Sequence, residues 1–250
     1  GVYTLCRLGG KDLAGLYQMP PALLKQGLPP HWMSYLAVAA ADSACAKIPQ
    51  PGGRIEQGPF DVLELGRMAI CKDPTGAVFS IWQAKAHQGL ATAGERGTPA
   101  WFELATTDVE RAEKFYAGVF GWRIEKSSGD GFDYREIHAG GNPTPMGGLR
   151  AMKSEHGPVP PHWLIYFTVD DCDQAVQRAQ ELGGRVCLPA TDIEHVGRFA
   201  VLADPAGASF AIIRLDTAGA EKHAATGAGG DSPAGAVAPH GAGARARHLH

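Results

Sequence analysis

Apolar residues recur along this chain with two different periods, and the changes of period mark out its elements. Val109, Ala112, Phe115, Tyr116, Val119 and Phe120 return at helical spacing, while Glu110, Arg111, Glu113 and Lys114 fall on the other side. Asp108 stands where an N-cap carboxylate accepts the first free amides, and Gly121 ends the run. A second helix starts at a cap on Asp171 or Asp173, turns Val176, Ala179 and Leu182 inward, and stops at Gly183-Gly184. A third starts at Asp42 and is cut short by Pro49 and Pro51, because an interior proline removes a backbone donor and clashes with the preceding turn. Short apolar and β-branched runs predict a hairpin, with strands at Val2–Leu8 and Gly15–Met19 around the turn Gly9–Asp12. Further strands are expected at His31–Val38, Arg54–Gln57, Arg67–Lys72, Ala77–Gln83, Trp101–Thr106, Trp122–Lys126, Tyr134–His138, Met146–Met152 and His162–Val169. The last three lie near Arg185, Arg198 and Ala208.

This order of elements occurs twice. Sliding Pro160–Arg214 back by 131 positions lays it on Pro29–Gln83 without a gap, and about 20 of the aligned positions are identical. They include His31/His162, Trp32/Trp163, Tyr35/Tyr166, Arg67/Arg198 and Asp73/Asp204. The chain therefore reads as two domains. Residues 1–83 form the first, 84–98 a linker rich in Ala, Gly and charge, and 99–215 the second. Each complete domain is a doubled βαβββ unit, an α+β fold, and the first lacks its opening strand, helix and second strand. Such a domain is expected to expose sheet edges and core, or to borrow another surface; a homodimer is possible. Residues 216–250 turn to Ala and Gly with no periodic apolar face, and are expected to be disordered. His223, His240, His248 and His250 are scattered through that tail rather than clustered as ligands.

Composition narrows the function. With 23 basic against 26 acidic side chains there is no excess positive charge for nucleic acid or an anionic membrane. No apolar run is long enough to span a bilayer. The five cysteines are odd in number and never spaced CxxC, which points away from a disulfide framework or zinc knuckle and toward a reducing cytoplasm. Asp73-Pro74-Thr75-Gly76 and Asp204-Pro205-Ala206-Gly207 place Asp, Pro and Gly where a type I turn wants them, so both aspartates should accept local amides.

The run VDDCDQAVQRAQELGGRV from Val169, followed by GRFAVLADPAGASF, resembles the second half of a vicinal-oxygen-chelate domain, the superfamily of glyoxalase I, bleomycin-resistance proteins and extradiol dioxygenases. TTDVERAEKFYAGVFGW at Thr106–Trp122 resembles its first half. The tandem arrangement is similar to two-domain glyoxalase-like proteins of actinobacterial type. The resemblance implies paired βαβββ units forming cupped mixed sheets around a pocket. It also implies metal ligands at the start of each unit's first strand and inside its last. Counted from the turns, those positions are Trp101, Leu164 and Met33 for the opening strands and Ser80 and Ala211 for the closing strands, with Met146–Arg150 holding the remaining one. None offers the converging imidazoles and carboxylates that a divalent ion wants, so no cofactor is expected.

Side chains alternate along a strand, so the pocket of the second domain should be lined by Trp101, Glu103, His162, Leu164, Tyr166, Ser209 and Ala211. A carboxylate on an inner face must be paired, protonated or usefully placed. Glu103 therefore either bridges to Arg198 or Arg150, or works as a base with His162 and Tyr166 as proton donors. His31 and His162 also have a plainer use as caps at strand entrances. The expectation is a protein that binds a small apolar or aromatic molecule without the family's metal. The alternatives are an enzyme of the same fold, a lyase, isomerase or dioxygenase or hydroxylase acting on a carbonyl or aromatic metabolite, and an interaction module with a filled pocket.

Overall fold

In the computed structural model, residues 3–25, 27–127, 133–152 and 159–216 are described; of the tail expected to be disordered, residues 217–250 lie outside them. The N-terminal part holds β1 (Tyr3–Leu8), β2 (Lys11–Tyr17), α1 (Pro21–Lys25), β3 (Tyr35–Ala37), α2 (Ala41–Lys47), β4 (Arg54–Val62), β5 (Gly66–Lys72) and β6 (Val78–Ala84). Then come β7 (Pro99–Thr106), α3 (Val109–Phe120), β8 (Arg123–Lys126), β9 (Tyr134–His138), β10 (Gly147–Ala151), β11 (His162–Thr168), α4 (Cys172–Glu181), β12 (Arg185–Ile193), β13 (Gly197–Ala203) and β14 (Ser209–Leu215).

The second copy is one eight-stranded sheet in the order β12-β13-β14-β11-β7-β10-β9-β8. In each half the first and last strands run parallel, β7 with β10 and β11 with β14, and the two halves join through the antiparallel pair β7–β11. The first copy contributes the four-stranded sheet β3-β6-β5-β4 and the separate hairpin β1-β2. Among the described residues β3 pairs only with β6, so its other edge lacks the neighbour that β7 gives β11.

Capping follows the sequence. Asp108 accepts from the Arg111 amide and Gly121 closes α3 at φ 70°, a left-handed conformation that glycine adopts without strain. Asp171, not Asp173, caps α4 through the Gln174 amide. Asp173 is held instead by Arg198, which also bridges to Asp192. The first copy repeats this arrangement with Arg67, Asp42 and Asp61. Leu182 was expected inside but lies at the α4 C-cap and is 61% exposed, because the helix ends before its side chain can turn back onto the sheet.

The four-stranded sheet of the first copy does not leave its helix face open. Leu36, Ala69, Cys71, Phe79 and Ile81 share one core with Phe115, Tyr116 and Val119 of α3 and with Phe102, Leu104 and Trp163 of the eight-stranded sheet. Phe79 meets Phe115 edge-on at a ring distance of 6.0 Å. Tyr116 donates to Asp73 Oδ2 at 3.1 Å and accepts from Trp163 Nε1 at 3.0 Å, a buried chain linking the copies. Exposed large apolar side chains are found around the N-terminal hairpin and α1, at Leu5, Leu8, Leu16, Tyr17, Leu24 and Leu28, and also at Leu63, Val159, Leu182, Leu188 and Ile193. No helix among the described residues is long and apolar enough to cross a membrane.

Candidate functional site

Register decides which side chains meet on the face of the eight-stranded sheet that points away from the helices. On the β7–β11 seam Glu103 lies opposite Leu164, Trp101 opposite Tyr166, and Ala105 opposite His162. Gly148 of β10 is level with Glu103, Arg150 of β10 with Tyr134 of β9, and Ala211 of β14 with Tyr166. One half of this cup is apolar, a cluster of Leu164, Tyr166, Ala211 and Ile213 walled by Trp101, Phe199 and Val201. The other half carries the charge.

Glu103 sits at the junction of the halves, only 6% exposed. Its Oε1 accepts from Arg150 Nε at 2.7 Å and from the Tyr166 hydroxyl at 3.2 Å, and its Oε2 accepts from the Tyr134 hydroxyl at 3.2 Å. Trp101 Nε1 donates to the Tyr134 oxygen at 2.8 Å. Arg150, Tyr166 and Tyr134 thus give this buried carboxylate three donors, one of them a guanidinium. Burial, then the Glu103 charge, pushes the Tyr134 and Tyr166 phenols well above the ordinary tyrosine range. Both therefore stay protonated donors. Burial opposes the charge of Arg150, but the facing Glu103 outweighs it and holds the guanidinium up.

Two glycines make room for this cluster. A Cβ on Gly148 would lie 1.9 Å from the Tyr134 hydroxyl oxygen, so the bare strand lets that ring reach across β10 to Glu103. A Cβ on Gly147 would lie 2.1 Å from the Phe102 carbonyl oxygen, which fixes the close approach of β10 to β7.

Of the residues expected to line the pocket, Trp101, Glu103, Leu164, Tyr166 and Ala211 come together here. Ser209 does not join them; it opens β14 opposite Ala203 and is exposed at the rim. His162 is in the same register but makes a different contact. Its Nδ1 donates to the Pro160 carbonyl at 2.8 Å, and His31 does the same to Pro29 at 2.9 Å. A carbonyl can only accept, so the imidazole proton is on Nδ1 in both. The trio expected from Glu103, His162 and Tyr166 is replaced by Glu103, Tyr134 and Tyr166. Tyr134 was signalled only by alternation on β9 opposite a strand with two glycines.

Both Asp-Pro turns close on their own amides. Asp73 Oδ1 accepts from Thr75, Gly76 and Ala77, and Asp204 Oδ1 from Ala206, Gly207 and Ala208. A separate cavity of about 210 Å³ lies where the copies meet, lined by Val38, Ala44, Lys47, Val119, Phe120 and Trp122 among others. None of the expected site residues borders it.

The donor set of the cup does not fit a divalent ion. Trp101, Leu164, Ala211 and Gly148 occupy the strand positions around it, and its one carboxylate is already engaged by a guanidinium. Among the described residues no three His, Cys, Asp or Glu side chains converge.

A family model described as the glyoxalase/bleomycin resistance protein/dioxygenase superfamily matches residues 98–212. A Mycobacterium tuberculosis protein that carries the name of a glyoxylase, CFP32, is 39% identical over 217 residues, covering 86% of this chain and 80% of its own. The anthracycline biosynthesis protein DnrV of Streptomyces peucetius is 35% identical over 225 residues, with the same shares of 86% and 80%. Among solved structures, the Mn(II)-bound glyoxalase from Novosphingobium aromaticivorans is similar at 19% identity and a TM-score of 0.49, covering 73% of this chain and 62% of that one. The 2,3-dioxygenase LapB from Pseudomonas sp. KL28 is similar at 14% identity and a TM-score of 0.48, covering 72% and 68%.

Proposed function

The chain belongs to the glyoxalase/bleomycin resistance protein/dioxygenase superfamily, and on that premise we propose that it binds a small apolar or aromatic molecule in the cup of its second copy without the divalent ion that the resemblance implies. The observation that carries this reading is the Glu103 cluster. A guanidinium and two phenols converge on a buried carboxylate next to an apolar wall of Leu164, Ala211, Ile213 and Phe199. A ligand lying on that wall gains its affinity from burying apolar area, at about 25 cal/mol per Å², and its orientation from the few polar groups at one end. Glu103 is held by three donors, so it serves as a fixed platform before it serves as a base.

The test is a thermal-shift screen of the purified chain with aromatic metabolites, with elemental analysis of the same preparation after the histidine-bearing tail has been removed at Asp216. The expected result is stabilisation by aromatic compounds and far less than one metal equivalent per chain. Near-stoichiometric metal held by the folded core, or no stabilisation by any aromatic compound, would overturn it. One observation favours a second reading, an enzyme of the same fold. Tyr134 and Tyr166 remain protonated donors next to a carboxylate, an arrangement suited to moving a proton beside a carbonyl. Unchanged turnover in Glu103→Gln would remove that reading.

A further inference from the structure

The charges of the cup cancel within it, and that restricts what it can hold. Arg150 uses only its Nε on Glu103; among the described residues its Nη groups make no further hydrogen bond, and its side chain is 30% exposed. Tyr166 gives its single proton to the same Glu103 oxygen that Arg150 holds, so its own oxygen keeps free lone pairs close to the guanidinium. What remains for a ligand is therefore donors on Arg150 and acceptors on Tyr166, side by side at the edge of an apolar wall.

Resting on the reading above that the cup binds a ligand, we propose that it selects a neutral hydroxyl on an aromatic body, a phenol rather than a carboxylate or an amine. A hydroxyl can accept from Arg150 Nη and donate to the Tyr166 oxygen at once. A carboxylate can only accept, and it would place a second negative charge beside Glu103 with no unspent positive charge to meet it. An ammonium can only donate and would face Arg150. Removing either ion from water without an opposite charge to meet it is unfavourable, and discrimination then comes from the mismatch imposed on the wrong ligands. The guanidinium thus occupies a role that a bound cation would otherwise fill, and Glu103 sets its net charge to zero.

The test is calorimetric titration at pH 7 of the whole chain with 2-naphthol, 2-naphthoate, 2-naphthylmethylammonium and naphthalene, repeated on Glu103→Gln and Tyr166→Phe. The wild type should bind 2-naphthol at least tenfold more tightly than either ion and several-fold more tightly than naphthalene. Glu103→Gln uncovers the Arg150 charge, so 2-naphthoate should gain at least tenfold and overtake 2-naphthol. Tyr166→Phe keeps the ion pair and should lower 2-naphthol toward naphthalene; it decides the matter if Glu103→Gln does not fold. Equal or tighter wild-type binding of 2-naphthoate overturns the proposal, as does an unchanged order in the folded variants. Naphthalene binding as well as 2-naphthol would sink the phenol assignment and leave the apolar cup standing. No binding of any of the four would remove the cup reading itself.

Discussion

Replacing Gly148 by alanine tests the construction of the site through a residue that carries no functional group. The new Cβ would fall 1.9 Å from the Tyr134 hydroxyl oxygen and 2.2 Å from its ring carbon, so the Tyr134 side chain has to leave. Its departure breaks the hydrogen bond to Glu103 and the one from Trp101 Nε1. One neutral hydrogen bond and one to a charged group together contribute about 2 to 4 kcal/mol. Alanine recovers about 0.5 to 1 kcal/mol over glycine through its smaller conformational entropy loss in a strand. Nothing in the Gly148 backbone requires glycine, since its φ lies outside the left-handed region. The net loss is then about 2 kcal/mol, or about 4 to 8 °C in Tm for a protein of this size.

The assay is urea unfolding of Gly148→Ala, Tyr134→Ala and the double variant, read as a thermodynamic cycle. Once the tyrosine ring is gone the alanine has room, and Gly148→Ala should become neutral or slightly stabilising in that background. If it costs the same about 2 kcal/mol with and without Tyr134, the cradle argument is refuted and the cost belongs to the strand pairing around it.

Three further outcomes follow from the same contacts. Tyr116→Phe removes a buried donor to Asp73 and the acceptor of Trp163 Nε1, and should lower stability by about 1 to 3 kcal/mol in urea unfolding; a loss near zero would show that the inter-copy chain contributes nothing. Burial, followed by Asp73 for Tyr116 and by Glu103 for Tyr134 and Tyr166, raises these phenols. A folded pKa above the unfolded one gives stability that is intact below about pH 10 and lost as pH rises past it. Absorbance titration should therefore show these tyrosines ionising together with loss of near-ultraviolet circular dichroism, and free titration in the folded protein would contradict the burial. Hydrogen bonds from Arg67, Lys85 first and then Arg67, and Arg198 lower Asp42, Asp61 and Asp173 respectively. Their contribution is present above the ordinary carboxylate range and fades as pH falls through the lowered values, so Arg67→Gln with Arg198→Gln should flatten the acid side of the stability profile; an unchanged acid limb argues against these bridges.

Periodicity found the strands and helices because each buries one face, and a buried face imposes its spacing on the sequence. The α3 stripe from Val109 to Val119 and the Asp108 cap were legible for that reason. The extension of β4 to Val62 and of β12 to Ile193 was not, since these strands are exposed along much of their length and their register shifts along the pairing. At the site, alternation placed Glu103, Leu164 and Tyr166 on one face from sequence alone. It could not rank Arg150 above Arg198 as the partner of Glu103, because both sit on strands of the same sheet. Only the register of β10 against β7 separates them, while Arg198 is taken by two aspartates. The part played by Tyr134 depends on the absence of a side chain at Gly148, a feature that carries no chemical signature of its own.

The repeat shows why the Glu103 cluster has no counterpart among the described residues of the first copy. The first-copy counterparts of Leu164, Tyr166, Ala211 and Ile213 are Met33, Tyr35, Ser80 and Trp82. Met33, Tyr35 and Trp82 gather with Val62, Phe60, Met68, Leu65 and Ile70 into an apolar cluster. Glu103, Arg150 and Tyr134 belong to the β7–β10 half of the second copy, whose strand β7 and helix α3 have no counterpart among the described residues of the first. That same α3 turns its other side to the first copy, where Phe115 and Tyr116 fill the core beneath Phe79 and Asp73. One βαβββ unit therefore covers the helix face of the first copy and also supplies the polar half of the cup. A substitution that loosens α3 should reach both, whereas one in β4 or β5 of the first copy should leave the Glu103 cluster in place.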